Sequence, residues 1–131
     1  MDWKDCIKKR IAKEVKEDTS LVRSAREIAS IKLKSAEALP MNLYYGKISL
    51  LYDALREYLE CIALEKGYKI YNHECYTAFL KEVLKLSNEG DLFDELRKIR
   101  NSINYYGRKL SLSEANQIIA KLRELINKFK K

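Results

Sequence analysis

The scarcity of helix-breaking residues is the feature that most constrains what this chain can fold into. Only four glycines and one proline occur in 131 residues, and the long segments between them repeat apolar residues with helical spacing. No segment alternates apolar and polar residues for long enough to predict a strand. Because the chain is long enough for one hydrophobic core and too short for two comfortable ones, we predict a single all-α domain over residues 1–131.

Turn and capping signals divide the chain into about five helices. Residues 1–40 are predicted to form one helix, or two that divide near Asp18, and Asp91 is predicted to open the helix that contains the motif discussed below. The other predicted boundaries are Pro40, Gly67, the cap Asn72, Gly90, Gly107 and the capping box of Ser111 and Glu114. Short connections favour antiparallel neighbours, so we predict an up-and-down helical bundle.

The composition is typical of a soluble protein rich in amphipathic helices. Apolar residues make up 47% of the chain and charged residues 34%. No apolar run approaches the roughly 18 residues that span a bilayer, and charges interrupt MDWKDCIKKR where a signal peptide keeps its apolar segment. We therefore expect a cytoplasmic protein with no membrane segment.

The three cysteines, Cys6, Cys61 and Cys75, are far apart and form no CxxC pair. We expect them to be reduced and mostly buried thiols rather than a disulfide framework or a zinc site. His73, Glu74 and Cys75 are consecutive and would point in different directions on a helix, so no metal and no cofactor are predicted.

The formal charge of +7 is concentrated near the end of the chain. Residues 91–131 contain ten basic and five acidic groups, whereas residues 41–90 contain six and seven. Such an excess can attract nucleic acid, although isolated basic residues on helices are often only solvated.

The most unusual segment of this basic region is IRNSINYYGRK, residues 99–109. At about 100 degrees per residue, one side of its helix carries the predicted core stripe, which consists of Leu92, Leu96, Ile99, Ile103 and Tyr106. The adjacent flank carries four polar residues, Arg97, Arg100, Asn101 and Asn104, while Tyr105 projects from the far shoulder. This flank is suited to binding a phosphate or a base edge, but both arginines could instead pair with acidic groups such as Asp94 or Glu95.

The segment RNSINYYG, within this order of helices, resembles the HEPN domain in the form that its archaeal members carry. The resemblance implies a helical bundle that forms homodimers with the two motif helices near a shared cleft. Many members are metal-independent endoribonucleases, toxin components or partners of minimal nucleotidyltransferases. Their motif reads Arg, four to six residues, then His, so Arg100 corresponds to the arginine and Asn101 to its polar neighbour.

The motif of this chain lacks the histidine that the family uses. The positions four to seven residues after Arg100 hold Asn104, Tyr105, Tyr106 and Gly107, and tyrosine with a pKa near 10 is a poor proton shuttle at neutral pH. The only histidine is His73, which is either a proton donor that reaches the motif from elsewhere or a helix N-terminal residue beside a cap.

The string YYG followed by a basic residue occurs twice, at residues 44–47 and 105–108. The recurrence covers only four residues, so it is not a true repeat and is interpreted as a coincidence. If the two helix ends are nevertheless close in space, Tyr44 and Lys47 would face Arg100 and Tyr105 and line one pocket with them. Tyrosine can stack on a base, and arginine or lysine can bind phosphate.

Two classes of function follow. The first is an RNA- or nucleotide-binding HEPN-like homodimer, with or without residual ribonuclease activity. The second is a non-catalytic subunit that docks onto a separately encoded nucleotidyltransferase. A continuous basic groove with Arg97, Arg100 and Arg108 would favour the first, and an additional exposed apolar face would favour the second.

Overall fold

The computed structural model describes all 131 residues and contains six α-helices. They are α1 (Trp3–Lys8), α2 (Thr19–Ala38), α3 (Tyr44–Glu65), α4 (His73–Ala78), α5 (Ser87–Tyr106) and α6 (Leu112–Phe129). A 3₁₀ turn at Met41–Leu43 precedes α3, and a π-helical turn at Phe79–Val83 follows α4. The predicted all-α helical bundle is therefore confirmed.

Contacts between helix ends show that neighbouring long helices run antiparallel. Arg26, near the start of α2, pairs with Glu65 at the end of α3, with an N–O distance of 2.6 Å. Glu89, near the start of α5, pairs with Lys128 at the end of α6 at 2.7 Å. Helix α3 packs against both α2 and α6, so it forms the centre of the bundle.

The predicted caps form as side-chain hydrogen bonds. Asn72 accepts a bond from the backbone N–H of Glu74 at the start of α4. At the predicted break near Asp18, the carboxylate of Asp18 accepts a bond from the N–H of Leu21 at the start of α2, a cap that was not predicted. The capping box before α6 is present in both directions, with Ser111 and Glu114 each bonded to the backbone of the other. These boundaries are confirmed because short polar side chains satisfy the first free N–H groups of each helix.

The prediction that no strand occurs is wrong for two short segments. Strands β1 (Ala12–Glu14) and β2 (Tyr68–Ile70) pair antiparallel, with Ala12 opposite Ile70 and Glu14 opposite Tyr68. Each strand is only three residues long, which is too short for an alternating pattern to be recognised in the sequence. The ribbon joins the N-terminal segment to the turn that leads into α4.

The prediction of three reduced thiols is wrong for two of them. Cys6 of α1 and Cys75 of α4 form a disulfide, with Cα atoms 6.0 Å apart, while Cys61 remains a buried free thiol. The pairing links residues that are 69 positions apart, and spacing alone does not reveal such a pair. Burial raises the pKa of the Cys61 thiol to about 11, so it stays protonated and unreactive at neutral pH.

The boundary between α4 and α5 also differs from the prediction. Helix α5 begins at Ser87 rather than at Asp91, and Gly90 is a buried residue within the helix rather than a stop. A Cβ atom at Gly90 would overlap the side chain of Lys81 and lie 3.4 Å from the carbonyl oxygen of Thr77. Gly90 therefore permits close packing of α5 against the preceding segment instead of ending a helix.

The predicted core stripe of α5 is only partly correct. Leu96 is buried, and Leu92, Ile99 and Ile103 pack against the core as half-buried residues. Tyr106 is 84% exposed because the helix ends at Gly107, and Phe93, which the stripe omits, is fully buried. No helix of the protein combines the length and the apolar character required to span a membrane.

Candidate functional site

A polar cavity of about 450 Å³ lies between α5 and the turn that joins β2 to α4. One wall comes from the motif flank of α5 and the other from the first turn of α4 and the residues before it. The cavity is lined by Arg97, Arg100, Asn101 and Tyr105 on α5 and by Tyr71, Asn72, His73 and Glu74 on the facing wall. The cavity therefore brings together four of the predicted site residues and the single histidine.

Local structure explains why these side chains converge. Residues 97, 101 and 105 of α5 are successive turns apart, so they share one flank of the helix. The cap of α4 by Asn72 fixes the direction of the helix and places His73 at its first position. The only histidine of the chain therefore lines the same cavity as Arg100 but comes from a different helix.

Two arginines line the cavity, and Arg100 is the one that has no acidic partner. Its guanidinium carbon lies 5.2 Å from the ring centre of Tyr52 and 5.8 Å from that of Tyr105, and Nη1 makes only a 3.4 Å hydrogen bond to Asn101. Contacts with two aromatic faces orient a guanidinium without neutralising its charge. The proposed alternative, in which the arginine pairs with a neighbouring acid, does not apply to Arg100.

The same alternative is correct for Arg97. Its Nη2 lies 2.8 Å from Oδ1 of Asp94, and Lys98 bonds the other carboxylate oxygen at 3.1 Å. Burial raises the pKa of Asp94, but the bonds from these two cations outweigh burial and lower it. Asp94 is therefore ionised at neutral pH and takes up much of the charge of Arg97.

His73 lies on the same buried tyrosine as Arg100. Its Nδ1 and the Tyr52 hydroxyl oxygen are 2.8 Å apart and share a hydrogen bond, and the two ring centres are 5.6 Å apart. Burial, together with the positive charges of Arg56 and Arg100, lowers the pKa of His73 to about 4, while Asp53 opposes the shift weakly. His73 is therefore a neutral imidazole at neutral pH and a weaker base than an unperturbed histidine.

Two exposed aromatic side chains flank the cavity. Tyr71 is 61% exposed on one wall and Tyr105 is 68% exposed on the other. The ammonium groups of Lys13 and Lys69 lie 5.4 and 6.0 Å from the ring centre of Tyr71. Lys69 is also paired with Glu60, whereas Lys13 forms no ion pair. The rim thus offers aromatic faces in a positive environment, on which nucleobases can stack.

Four residues predicted for the site do not line the cavity: Asn104, Arg108, Tyr44 and Lys47. Asn104 is exposed, and Arg108 pairs with Glu114 at 3.3 Å. The first YYG string contacts the segment after the second one, and the contact is structural, because the Tyr44 hydroxyl donates to the Leu110 carbonyl at 2.9 Å.

The prediction that Lys47 binds a ligand is wrong. It is only 4% exposed, and its ammonium donates to the carbonyl oxygens of Ala36 and Leu39 at 3.1 and 2.9 Å. These carbonyls belong to the end of α2, where Ala36 accepts only a 3.2 Å bond from the backbone N–H of Leu39 and Leu39 itself is followed by a proline without an N–H. Lys47 is therefore a buried cap for α2 and not a ligand-binding residue.

Sequence reasoning missed the wall formed by residues 71–74, except that the role of His73 was left open. The sequence signal in this segment was the capping residue Asn72. It predicted where α4 begins but not that the start of α4 lies opposite α5. No group of three or more His, Cys, Asp or Glu side chains is arranged to hold a metal ion. Comparisons with protein-family models, curated proteins and solved structures find no match to this chain.

Proposed function

We propose that this protein is a HEPN-like RNA-binding domain that binds a phosphodiester group in the cavity between α5 and α4. The observation that carries the proposal is the environment of Arg100, a half-buried guanidinium held between two tyrosine rings with no carboxylate partner. An uncompensated cation in a polar cavity favours an anionic ligand, and a guanidinium can bind two phosphate oxygens at once.

The rest of the cavity suits the other parts of a ribonucleotide. Asn101 supplies an amide beside Arg100 that can hydrogen-bond a base or a ribose hydroxyl. Tyr71 and Tyr105 offer exposed rings on opposite walls for unstacked bases. Single-stranded RNA presents both features, so it is the ligand class that we favour.

Binding of a fluorescently labelled oligouridylate to the wild type and to Arg100→Ala tests the proposal. We expect the variant to bind at least about tenfold more weakly, with the slope of log affinity against log salt reduced by about one. Arg123→Ala is the matched control, because this exposed arginine of α6 pairs with Glu37 outside the cavity. Equal binding by all three proteins, or no binding by the wild type, would reject the proposal.

A second candidate function, RNA cleavage without metal, is favoured by the position of His73 beside Arg100. In this reaction the ribose 2′-oxygen attacks the adjacent phosphorus and gives its proton to His73, and the bond from phosphorus to the 5′-oxygen breaks. The 5′-oxygen takes a proton from water, the hydroxide that remains takes the proton from His73, and the products are a 2′,3′-cyclic phosphate and a 5′-hydroxyl end. Arg100 would stabilise the charge that develops on the phosphate.

Incubation of RNA with the protein in the presence of a chelator tests this second function. Cleavage by the wild type and its loss in His73→Asn, with binding retained, would support the role of His73. Cleavage that persists in His73→Asn would assign the activity to another group or to a contaminant.

The homodimer and the nucleotidyltransferase partner are part of the proposal as expectations from the resemblance. Three apolar side chains on one face of α2, Leu21, Ile28 and Ile31, are exposed and offer a surface for another chain. Light scattering of the wild type and of Ile31→Glu tests the dimer, since a charge in an apolar interface should produce monomers. A wild type that is already monomeric would favour the docking-subunit alternative.

A further inference from the structure

A second basic recess adjoins the cavity on the side of the β-ribbon. It has a volume of about 450 Å³ and is lined by Ile7, Arg10, Ala12, Lys13 and Glu14. Neither Arg10 nor Lys13 forms an ion pair, and Glu14 is the one acidic group of the recess. The recess therefore carries a net positive charge that no contact within the protein neutralises.

Tyr71 connects this recess to the cavity. Its side chain lines the cavity, while its backbone N–H donates to the carbonyl oxygen of Ile11 at 2.8 Å, one residue from Arg10. The ammonium of Lys13, which lines the recess, lies 5.4 Å from the Tyr71 ring centre. An exposed aromatic ring thus lies between two cationic sites, an arrangement that suits a base between two phosphates.

We propose that the recess with Arg10 and Lys13 is a second phosphate subsite, and that the ligand is a single strand that extends from Arg100 across Tyr71 to the β-ribbon. The inference rests on the proposed function, because it requires a phosphodiester in the cavity first. It specifies the ligand further, since a nucleoside monophosphate or the dinucleotide UpU carries one phosphate and cannot fill two phosphate subsites.

The backbone of Arg10 makes a sharp test available. Arg10 follows the C-cap of α1 with φ of +58°, a left-handed conformation in which glycine is the most favourable residue. Arg10→Gly therefore removes the guanidinium while it relieves the backbone, so lost binding would not result from unfolding. Lys85→Gly is a matched control, because Lys85 has φ of +59°, is exposed and lies outside both recesses.

The experiment measures the affinity of each protein for the dinucleotide UpU and for an oligouridylate of roughly ten nucleotides. We expect the wild type to bind the oligomer at least about tenfold more tightly than UpU. Arg10→Gly should lose about five- to tenfold in oligomer affinity, with the salt slope reduced by about one, and should bind UpU normally. Lys85→Gly should match the wild type with both probes.

Two results would overturn the inference, and they are distinguishable. If Arg10→Gly binds the oligomer like the wild type while Arg100→Ala loses both probes, the second subsite is wrong and the proposed function stands. If the wild type binds neither probe, the proposed function fails and the inference fails with it.

Discussion

The hydroxyl oxygen of Tyr52 lies 2.8 Å from Nδ1 of His73. Tyr52 is a fully buried residue of α3, and its ring also faces the guanidinium of Arg100 and stacks on Phe93 with ring centres 5.9 Å apart. One core residue of the central helix therefore contacts both chemical groups of the cavity, although these come from α4 and α5. The relative positions of His73 and Arg100 are therefore set by a residue of the core rather than by the cavity walls.

Tyr52→Phe keeps the ring and removes the hydroxyl that His73 contacts. Because Nδ1 loses its partner, we expect the free energy of unfolding to fall by about 1 kcal/mol and the tautomer preference of His73 to weaken. Urea unfolding measures the first effect, and ¹⁵N chemical shifts of the imidazole measure the second.

Tyr76→Phe is the control for that substitution. Tyr76 is equally buried, on α4, but its hydroxyl has no hydrogen-bond partner, so its removal should leave stability unchanged or slightly raised. If both variants have the same effect on His73, the hydrogen bond from Tyr52 does not position the imidazole.

Protein stability should depend on pH through His73. Burial, together with Arg56, Arg100 and Arg97, lowers the pKa of His73 to about 4 in the folded protein, against 6.5 in the unfolded chain, with Asp53 acting in the opposite direction. Above about pH 6.5 the imidazole is neutral in both states, so it contributes no pH dependence there. As the pH falls from about 6.5 towards 4, only the unfolded chain takes up the proton, and the free energy of unfolding decreases.

His73→Asn lacks this titration, so its stability should vary less between about pH 7 and pH 5 than that of the wild type. Chemical unfolding at both pH values measures the difference. Comparing the two proteins also cancels the contributions of carboxylates with lowered pKa, such as Asp94 and Glu60. Parallel curves for the two proteins would show that His73 titrates normally.

The sequence predicted the features of the fold that depend on local signals. The caps Asn72 and Ser111 follow from side chains that bond N–H groups two or three residues away, and the structure matches the prediction. The two-stranded ribbon and the pairing of Cys6 with Cys75 depend on contacts between distant segments. Periodicity and spacing carry no information about such contacts, which is why both were missed.

The residues of the candidate site show the same difference between local and long-range contacts. Helical geometry placed Arg97, Arg100 and Asn101 on one flank, because their separation is a property of one helix. It also placed Asn104 on that flank, although Asn104 does not line the cavity, and it placed Tyr105, which does, on the far shoulder. The opposite wall, with His73 and Tyr71, comes from another segment, and only the tertiary structure brings it into position. Lys47 was misassigned because an exposed cation and a buried helix cap have the same appearance in a sequence.

Lys47→Met tests the assignment of Lys47 as a buried cap of α2. The substitution introduces an unbranched apolar side chain, leaves the Leu39 carbonyl without its ammonium donor and leaves the Ala36 carbonyl with only the Leu39 N–H, so we expect a loss of about 1–3 kcal/mol in the free energy of unfolding. RNA affinity should not change. Lys34→Met, at an exposed position of α2 without an ion pair, should alter stability by no more than about 0.5 kcal/mol. Weaker RNA binding by Lys47→Met with unaltered stability would restore Lys47 to the binding site.

Two glycines within helices should respond in opposite directions to replacement by alanine. At Gly90 of α5, the new methyl group would overlap Cγ of Lys81, near the backbone end of that side chain, so Gly90→Ala should destabilise the protein by about 1–3 kcal/mol. At Gly46 of α3, the nearest atom is Cδ1 of Leu39 at 3.5 Å, an ordinary contact, so Gly46→Ala should stabilise by about 0.5–1 kcal/mol through the helix preference of alanine. Urea unfolding of the two variants measures both changes in the free energy of unfolding. Stabilisation by Gly90→Ala would mean that α5 does not approach the Lys81 segment as closely as described, and would return Gly90 to the role of a loop residue that ends a helix.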